Sequence, residues 1–140
     1  EEVIEIGPGT AFVPDHDQRN VVSFGASFDH RETGFWALVY GRYESGTPLE
    51  GDEEALDEVR ERRGASLVDF DRMRVKPRTV LDAAIGKRFF RGRRAALELQ
   101  LEVRNLADAA FAYNFSNPFS GTHFGPPRLL YVRAKLAFPG

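Results

Sequence analysis

The side chains best suited to chemistry are few and scattered. His123 lies among Phe115, Phe119 and Phe124, a grouping in which imidazole and aromatic rings can hold an aromatic or metal-chelating ligand. The competing reading is that Phe119 and His123 pack a loop onto the elements beneath it, with Gly121, Gly125 and Pro126-Pro127 fixing its turns. His123 has no second ligand at metal spacing, since His16 and His30 are far away in sequence, so no metal site is expected. Carboxylates at Asp15, Asp17, Asp52, Glu53, Glu54, Asp69 and Asp71 offer hard oxygen ligands without the spacing of a calcium loop, and solvated surface charge accounts for them. Gly7-Pro8-Gly9 starts like a phosphate-binding fingerprint but lacks its third glycine. No Gly-x-Ser-x-Gly, paired His-Glu motif or cysteine supplies a nucleophile and base in a recognisable frame. Neither catalysis nor a cofactor is expected.

The more orderly set is Glu98, Gln100, Glu102 and Arg104, interleaved with Leu97, Leu99, Leu101 and Val103. Period-two alternation of this kind is a β-strand with one polar and one apolar face. The polar row can line a path for a substrate, or form a structural wall that hydrogen-bonds to a domain lodged against it. Five such segments recur, near residues 20–29, 34–44, 78–89, 95–105 and 128–138. Val22, Phe24, Ala26 and Phe28 share one face of the first, and Leu81, Ala83 and Ile85 oppose Asp82 and Arg88 in the third. In the last, Leu130, Val132, Ala134, Leu136 and Phe138 oppose Arg133 and Lys135. The second segment is apolar on both sides, and we assign Trp36, Leu38 and Tyr40 to its outward face.

Each segment is about as long as a tilted strand needs to be to cross a bilayer. Connections alternate between tight polar turns, at His30 to Gly34 and Arg91 to Arg94, and long loops, 45–77 and 106–127. Transmembrane β-barrels have that asymmetry, with short periplasmic turns and long extracellular loops. Phe28, Phe35, Trp36, Phe89, Phe90 and Phe138 gather near the tight-turn ends, as an interfacial aromatic girdle requires. Within the first long loop, Leu56 and Val59 at helical spacing and Glu58 four residues before Arg62 suggest a short surface helix. The expected fold is all-β, an antiparallel transmembrane β-barrel segment of about five strands. Such a segment is an incomplete barrel, because its edges would be left unpaired in lipid.

Composition agrees without deciding. A net charge of −2 with both signs interspersed gives no basic stripe for nucleic acid. Arg or Lys punctuates every apolar stretch, so no membrane-spanning helix is predicted. Glu1-Glu2-Val3-Ile4 has none of the features of an export signal, which would have to lie upstream, and the expectation is a fragment.

Val103-Arg104-Asn105-Leu106-Ala107-Asp108, followed by Phe111, and later Phe119 to Arg128 with its Pro127-Arg128 pair, resemble the end of TonB-dependent outer-membrane receptors. In that family an Asn-Leu-x-Asp motif closes the penultimate strand and a Pro-Arg pair opens the last. Pro77-Arg78 before Leu81-Asp82 resembles the opening of the strand two earlier, and the run to Phe138 resembles the signal read by the barrel-assembly machinery. The pattern covers about residues 15 to 138 and the motifs residues 103 to 138. Ala107 stands where a larger apolar residue is usual, Phe111 where tyrosine is common, and Pro139-Gly140 follow the aromatic residue that usually ends the chain. The resemblance implies the outer membrane of a Gram-negative-type bacterium and a parent protein that imports a scarce, bulky nutrient, commonly an iron-siderophore. It also implies a plug domain and TonB contact elsewhere in the parent, outer-membrane lipid and the remaining strands as partners, and a small-molecule or metal-chelate ligand. Two alternatives remain open: a passive porin or adhesin-type barrel, and a soluble β-sandwich binding module whose apolar rows face a protein core.

Overall fold

The alternating segments build antiparallel sheet, as their pleat dictates: side chains of one parity meet across neighbouring strands and sort into two faces. The computed structural model describes residues 18–49, 59–91, 94–117 and 121–137. In chain order its strands are β1 (Val21–His30), β2 (Phe35–Glu44), β3 (Val68–Asp69), β4 (Arg74–Val75), β5 (Arg78–Arg91), β6 (Arg94–Arg104), β7 (Ala112–Asn117), β8 (Gly121–Phe124) and β9 (Leu129–Leu136). The five long strands form one open sheet in the order β1-β2-β5-β6-β9, every neighbour antiparallel. Each connection joins adjacent strands, so the topology is a meander.

Register sorts the side chains. Phe28, Ala37, Ile85, Leu101 and Val132 align in one row across all five strands, and Ala26, Val39, Ala83, Val103 and Leu130 in the next. The opposite face carries Ser27, Leu38, Ala84, Glu102 and Tyr131, then Asp29, Trp36, Gly86, Gln100 and Arg133. One face is therefore predominantly apolar, with no acidic residue of the described long strands on it, and the other mixed and charged. The apolar face is uncovered: Val132 is 79% exposed and Phe28 55%. Two complete rows of bare hydrocarbon across five strands are a contiguous patch, unlike the single scattered apolar side chains that a protein surface in water ordinarily shows.

The facing expected for β2 is corrected here. Trp36, Leu38 and Tyr40 lie on the charged face and Phe35, Ala37 and Val39 on the apolar one. Alternation gave no signal because both sides of β2 are apolar; the polar atoms of the rings decide. The Trp36 indole donates to Glu98 and the Tyr40 hydroxyl to Ser23, both on the charged face. Cross-strand Gly86 leaves room for the indole, since a Cβ there would overlap the ring. Trp36 consequently leaves the expected aromatic girdle. Phe28, Phe35 and Phe89 lie on the apolar face, Phe28 and Phe35 with ring centroids 6.3 Å apart. Phe90 follows a register shift next to Phe89.

A buried core exists, but away from the sheet faces. Val68, Val75, Ala112 and Phe115 form it, with Leu49, Val59, Ala65, Leu67 and Phe70 packed against them. All belong to the two long connections, which lie at the end of the sheet opposite the tight turns. The Thr47 hydroxyl donates to the Tyr113 carbonyl at 2.9 Å and ties one connection to the other. The two loops thus make one cap, stabilised by its own hydrophobic burial. The expected helix falls largely on residues 50–58, outside the described residues. No helix among the described residues is long and apolar enough to cross a membrane.

Candidate functional site

β6 brings Glu98, Gln100, Glu102 and Arg104 onto the charged face in one line, as alternation predicts. They engage one another laterally. Gln100 Nε2 donates to Glu102 Oε2 at 3.2 Å, and Arg104 Nε donates to Glu102 Oε1 at 2.8 Å. Trp36 Nε1 donates to Glu98 Oε1 at 3.1 Å, and the Arg104 guanidinium sits 5.1 Å from the Tyr131 ring centroid. Arg88, directly across from Glu98, pairs with Asp29. Glu98, Gln100 and Glu102 are half-buried and Arg104 is exposed. The wall offers donors and acceptors to whatever lies against it.

Where this wall meets the loop cap, a cleft of about 280 Å³ opens, lined by Tyr40, Arg42, Asp82, Arg104 and Tyr113 above a floor of Glu44 and Arg78. The floor is built from the sheet register, which places Glu44 directly across from Arg78. Arg78 is 6% exposed at its side chain and forms an ion pair with Glu44, which also pairs with Arg42 at 2.7 Å. The Arg78 guanidinium donates to the Ala112 carbonyl and lies 5.2 Å from the Phe111 ring centroid and 4.6 Å from that of Tyr113. A buried guanidinium costs solvation, which a carboxylate, a carbonyl and two ring faces offset together. Its role is to clamp the second long loop to the sheet. Sequence reasoning missed this group. Parity puts Arg42 and Glu44 on one face, but their meeting with Arg78 depends on register, and Pro77-Arg78 was the only local signal.

The motif residues meet in a knot beside the cleft. Asn105 is 2% exposed, with φ at +51°, a left-handed conformation that asparagine tolerates better than most residues. Its Nδ2 donates to the carbonyls of Ala109 and Pro126, and its Oδ1 accepts from the Ala109 N–H, each at 3.0 Å. Its own N–H donates to Asp82 Oδ1 at 2.9 Å, and the Leu106 N–H to the Leu81 carbonyl. Asp108 Oδ1 accepts the Arg128 N–H at 2.8 Å. Gly125 lies so close to Phe111 that any Cβ would overlap the ring. Asn105 and Asp108 thereby fasten the end of β6 to the start of β9 across the loop between them. This is the physical work of the Asn-Leu-x-Asp spacing and of the Pro-Arg pair.

The aromatic loop residues separate. Phe115 is 1% exposed and belongs to the cap core, so its ring serves packing. His123 is exposed; its N–H donates to Asn114 Oδ1, which orders the β7-β8 hairpin. Phe119 and Phe138 lie outside the described residues. Among the described residues no three His, Asp or Glu side chains converge as a metal-binding group. Asp69 accepts the Arg72 N–H, a local turn contact. No protein-family profile, curated protein or solved structure matches this chain.

Proposed function

We propose that this chain is a section of the wall of a TonB-dependent outer-membrane receptor, five antiparallel strands with one face in lipid and the other toward a plugged lumen. One observation carries the reading: an uncovered apolar face runs across all five strands while every Asp and Glu of the described long strands falls on the other. A bilayer demands that sorting, because charge on the lipid side is expelled and the backbone must be paired strand to strand. Leu81 to Phe89 is eight residue steps along β5, about 27 Å of strand and about 21 Å across a wall tilted by about 40°, close to the apolar band of outer-membrane barrels at about 25 Å. The knot of Asn105, Asp108 and Arg128 gives the family-like motifs a shared structural task, which supports the receptor over a porin or adhesin barrel. A soluble sandwich would lay a second sheet over the apolar rows; among the described residues the smaller sheets pack at the loop end instead.

The role of this section is structural. The cleft over Glu44 and Arg78 would let it touch a bulky cargo, an iron chelate being the family's commonest, that enters beneath the loops. Edges β1 and β9 would pair with further strands of the same barrel, since each open backbone group in hydrocarbon costs several kcal/mol. The test is the state of the purified chain. Aggregation in plain buffer, relieved by detergent or by flotation with lipid vesicles, supports the reading. A monodisperse, β-rich monomer that melts cooperatively without detergent overturns it in favour of the soluble module.

A further inference from the structure

The apolar face is not uniform. Two basic side chains, His30 and Lys87, stand on it, in one row with Phe35, Leu99 and Ala134 at the tight-turn end. Lys87 bends toward the turn, where its ammonium donates to the Thr33 carbonyl and lies 6.0 Å from the Phe89 ring centroid. His30 stacks on Phe28 at 6.3 Å and holds Thr33 through Nδ1 at 2.9 Å. Long cations on a lipid-facing surface turn this way so that the charge reaches the interface while the stem stays in hydrocarbon. Among the described residues the acids nearby leave this charge uncompensated on its own face: Asp29 pairs with Arg88 on the opposite face, and Glu32 lies beside Arg31 in the exposed turn. Next to Lys87 a furrow of about 280 Å³ is lined by Phe35, Ile85, Leu99, Leu101 and Val132. It leads toward the smaller side chains of Ala26, Val39 and Ala83 in the following row.

We propose that this furrow seats one membrane glycerophospholipid with a net negative headgroup, its acyl chain against Ile85, Leu99 and Leu101 and its phosphate at the Lys87 ammonium. The inference rests on the barrel reading above and adds to it a defined lipid site in the leaflet on the tight-turn side. Charge complementarity selects the occupant. The Thr33 carbonyl takes one of the three ammonium donors, and a phosphate oxygen suits another, in a setting where water is scarce and the pairing is strengthened.

The test uses the full chain inserted in phosphatidylcholine vesicles doped with phosphatidylglycerol, with flotation to score insertion. Native mass spectrometry after gentle extraction then scores the phosphatidylglycerol retained. Wild type is expected to retain it. Lys87→Gln should retain about fivefold less, the equivalent of one basic residue near an anionic surface. Ile85→Trp, which fills the furrow, should also lose it, and Lys87→Arg should restore it. Lys135→Gln makes the same charge change at similar depth on the opposite face and should behave as wild type. Equal retention by wild type and Lys87→Gln, with both floating, overturns the lipid seat and leaves the barrel reading standing. A chain that stays a monodisperse monomer in plain buffer, without lipid or detergent, overturns the barrel reading and the seat with it.

Discussion

Replacing Asn105 by alanine tests the knot that joins β6 to β9, and its magnitude follows from the contacts. The substitution removes three side-chain hydrogen bonds of 3.0 Å, two to carbonyls and one from the Ala109 N–H, at a position only 2% exposed. At about 1 kcal/mol for each, the loss is about 3 kcal/mol. Alanine must also adopt a φ near +51°, which adds about 1 kcal/mol, so the whole is about 4 kcal/mol. Asn105→Gly relieves the backbone part alone and should cost about 3 kcal/mol. Denaturant unfolding in micelles, followed by Trp36 fluorescence, reads both values, and limited proteolysis of residues 106–127 reads the loop. Asp108→Ala provides the contrast: it loses one backbone bond and a half-exposed ion pair of 3.5 Å, about 1 kcal/mol together, and alanine at a φ of +53° adds about 1 kcal/mol, about 2 kcal/mol in all. Asn105→Ala unfolding within about 1 kcal/mol of wild type would show that these bonds do not hold β6 to β9, and equal costs for alanine and glycine would remove the backbone share.

Four further outcomes are expected. Leu101→Arg, on the apolar face, should block vesicle insertion at a cost of about 2 to 4 kcal/mol, whereas Glu102→Leu beside it should insert; equal insertion of the two would contradict the assigned faces. Phe115→Ala should cost about 3 to 5 kcal/mol locally, exposing residues 59–77 and 106–124 to protease while the strands stay protected. Gly125→Val should displace the Phe111 ring and weaken the Arg78 clamp, seen as faster cleavage of the same loops. Trp36, the chain's only tryptophan, faces away from the apolar surface, so brominated acyl chains should quench its emission less than that of a tryptophan placed at Leu99.

The parts legible in the sequence are those written in alternation. Leu97 to Arg104 and Leu130 to Lys135 each carry one polar and one apolar set, and a one-residue slip would move every side chain to the wrong face, so the pattern specifies strand and facing together. β2 has no such contrast, and its facing hung on an indole finding a carboxylate 62 residues away, which no local window contains. The same limit hid the Glu44 and Arg78 pair, whose partners are 34 residues apart and meet only once β2 and β5 are in register. The motif residues lie between these cases. Asn105, Asp108 and Arg128 could be singled out by spacing, but that spacing is silent about mechanism. What the structure adds is that Asn105 and Asp108 return the chain to the sheet after a loop whose core is its own. The register of β9 on β6 is set by eight paired positions from Leu97 to Arg104, and the buried amide of Asn105 and the carboxylate of Asp108 fix where the chain re-enters it. The side chains that anchor the loop, Asn105 and Asp108, are thus distinct from those that pack its interior, Phe115 and Ala112.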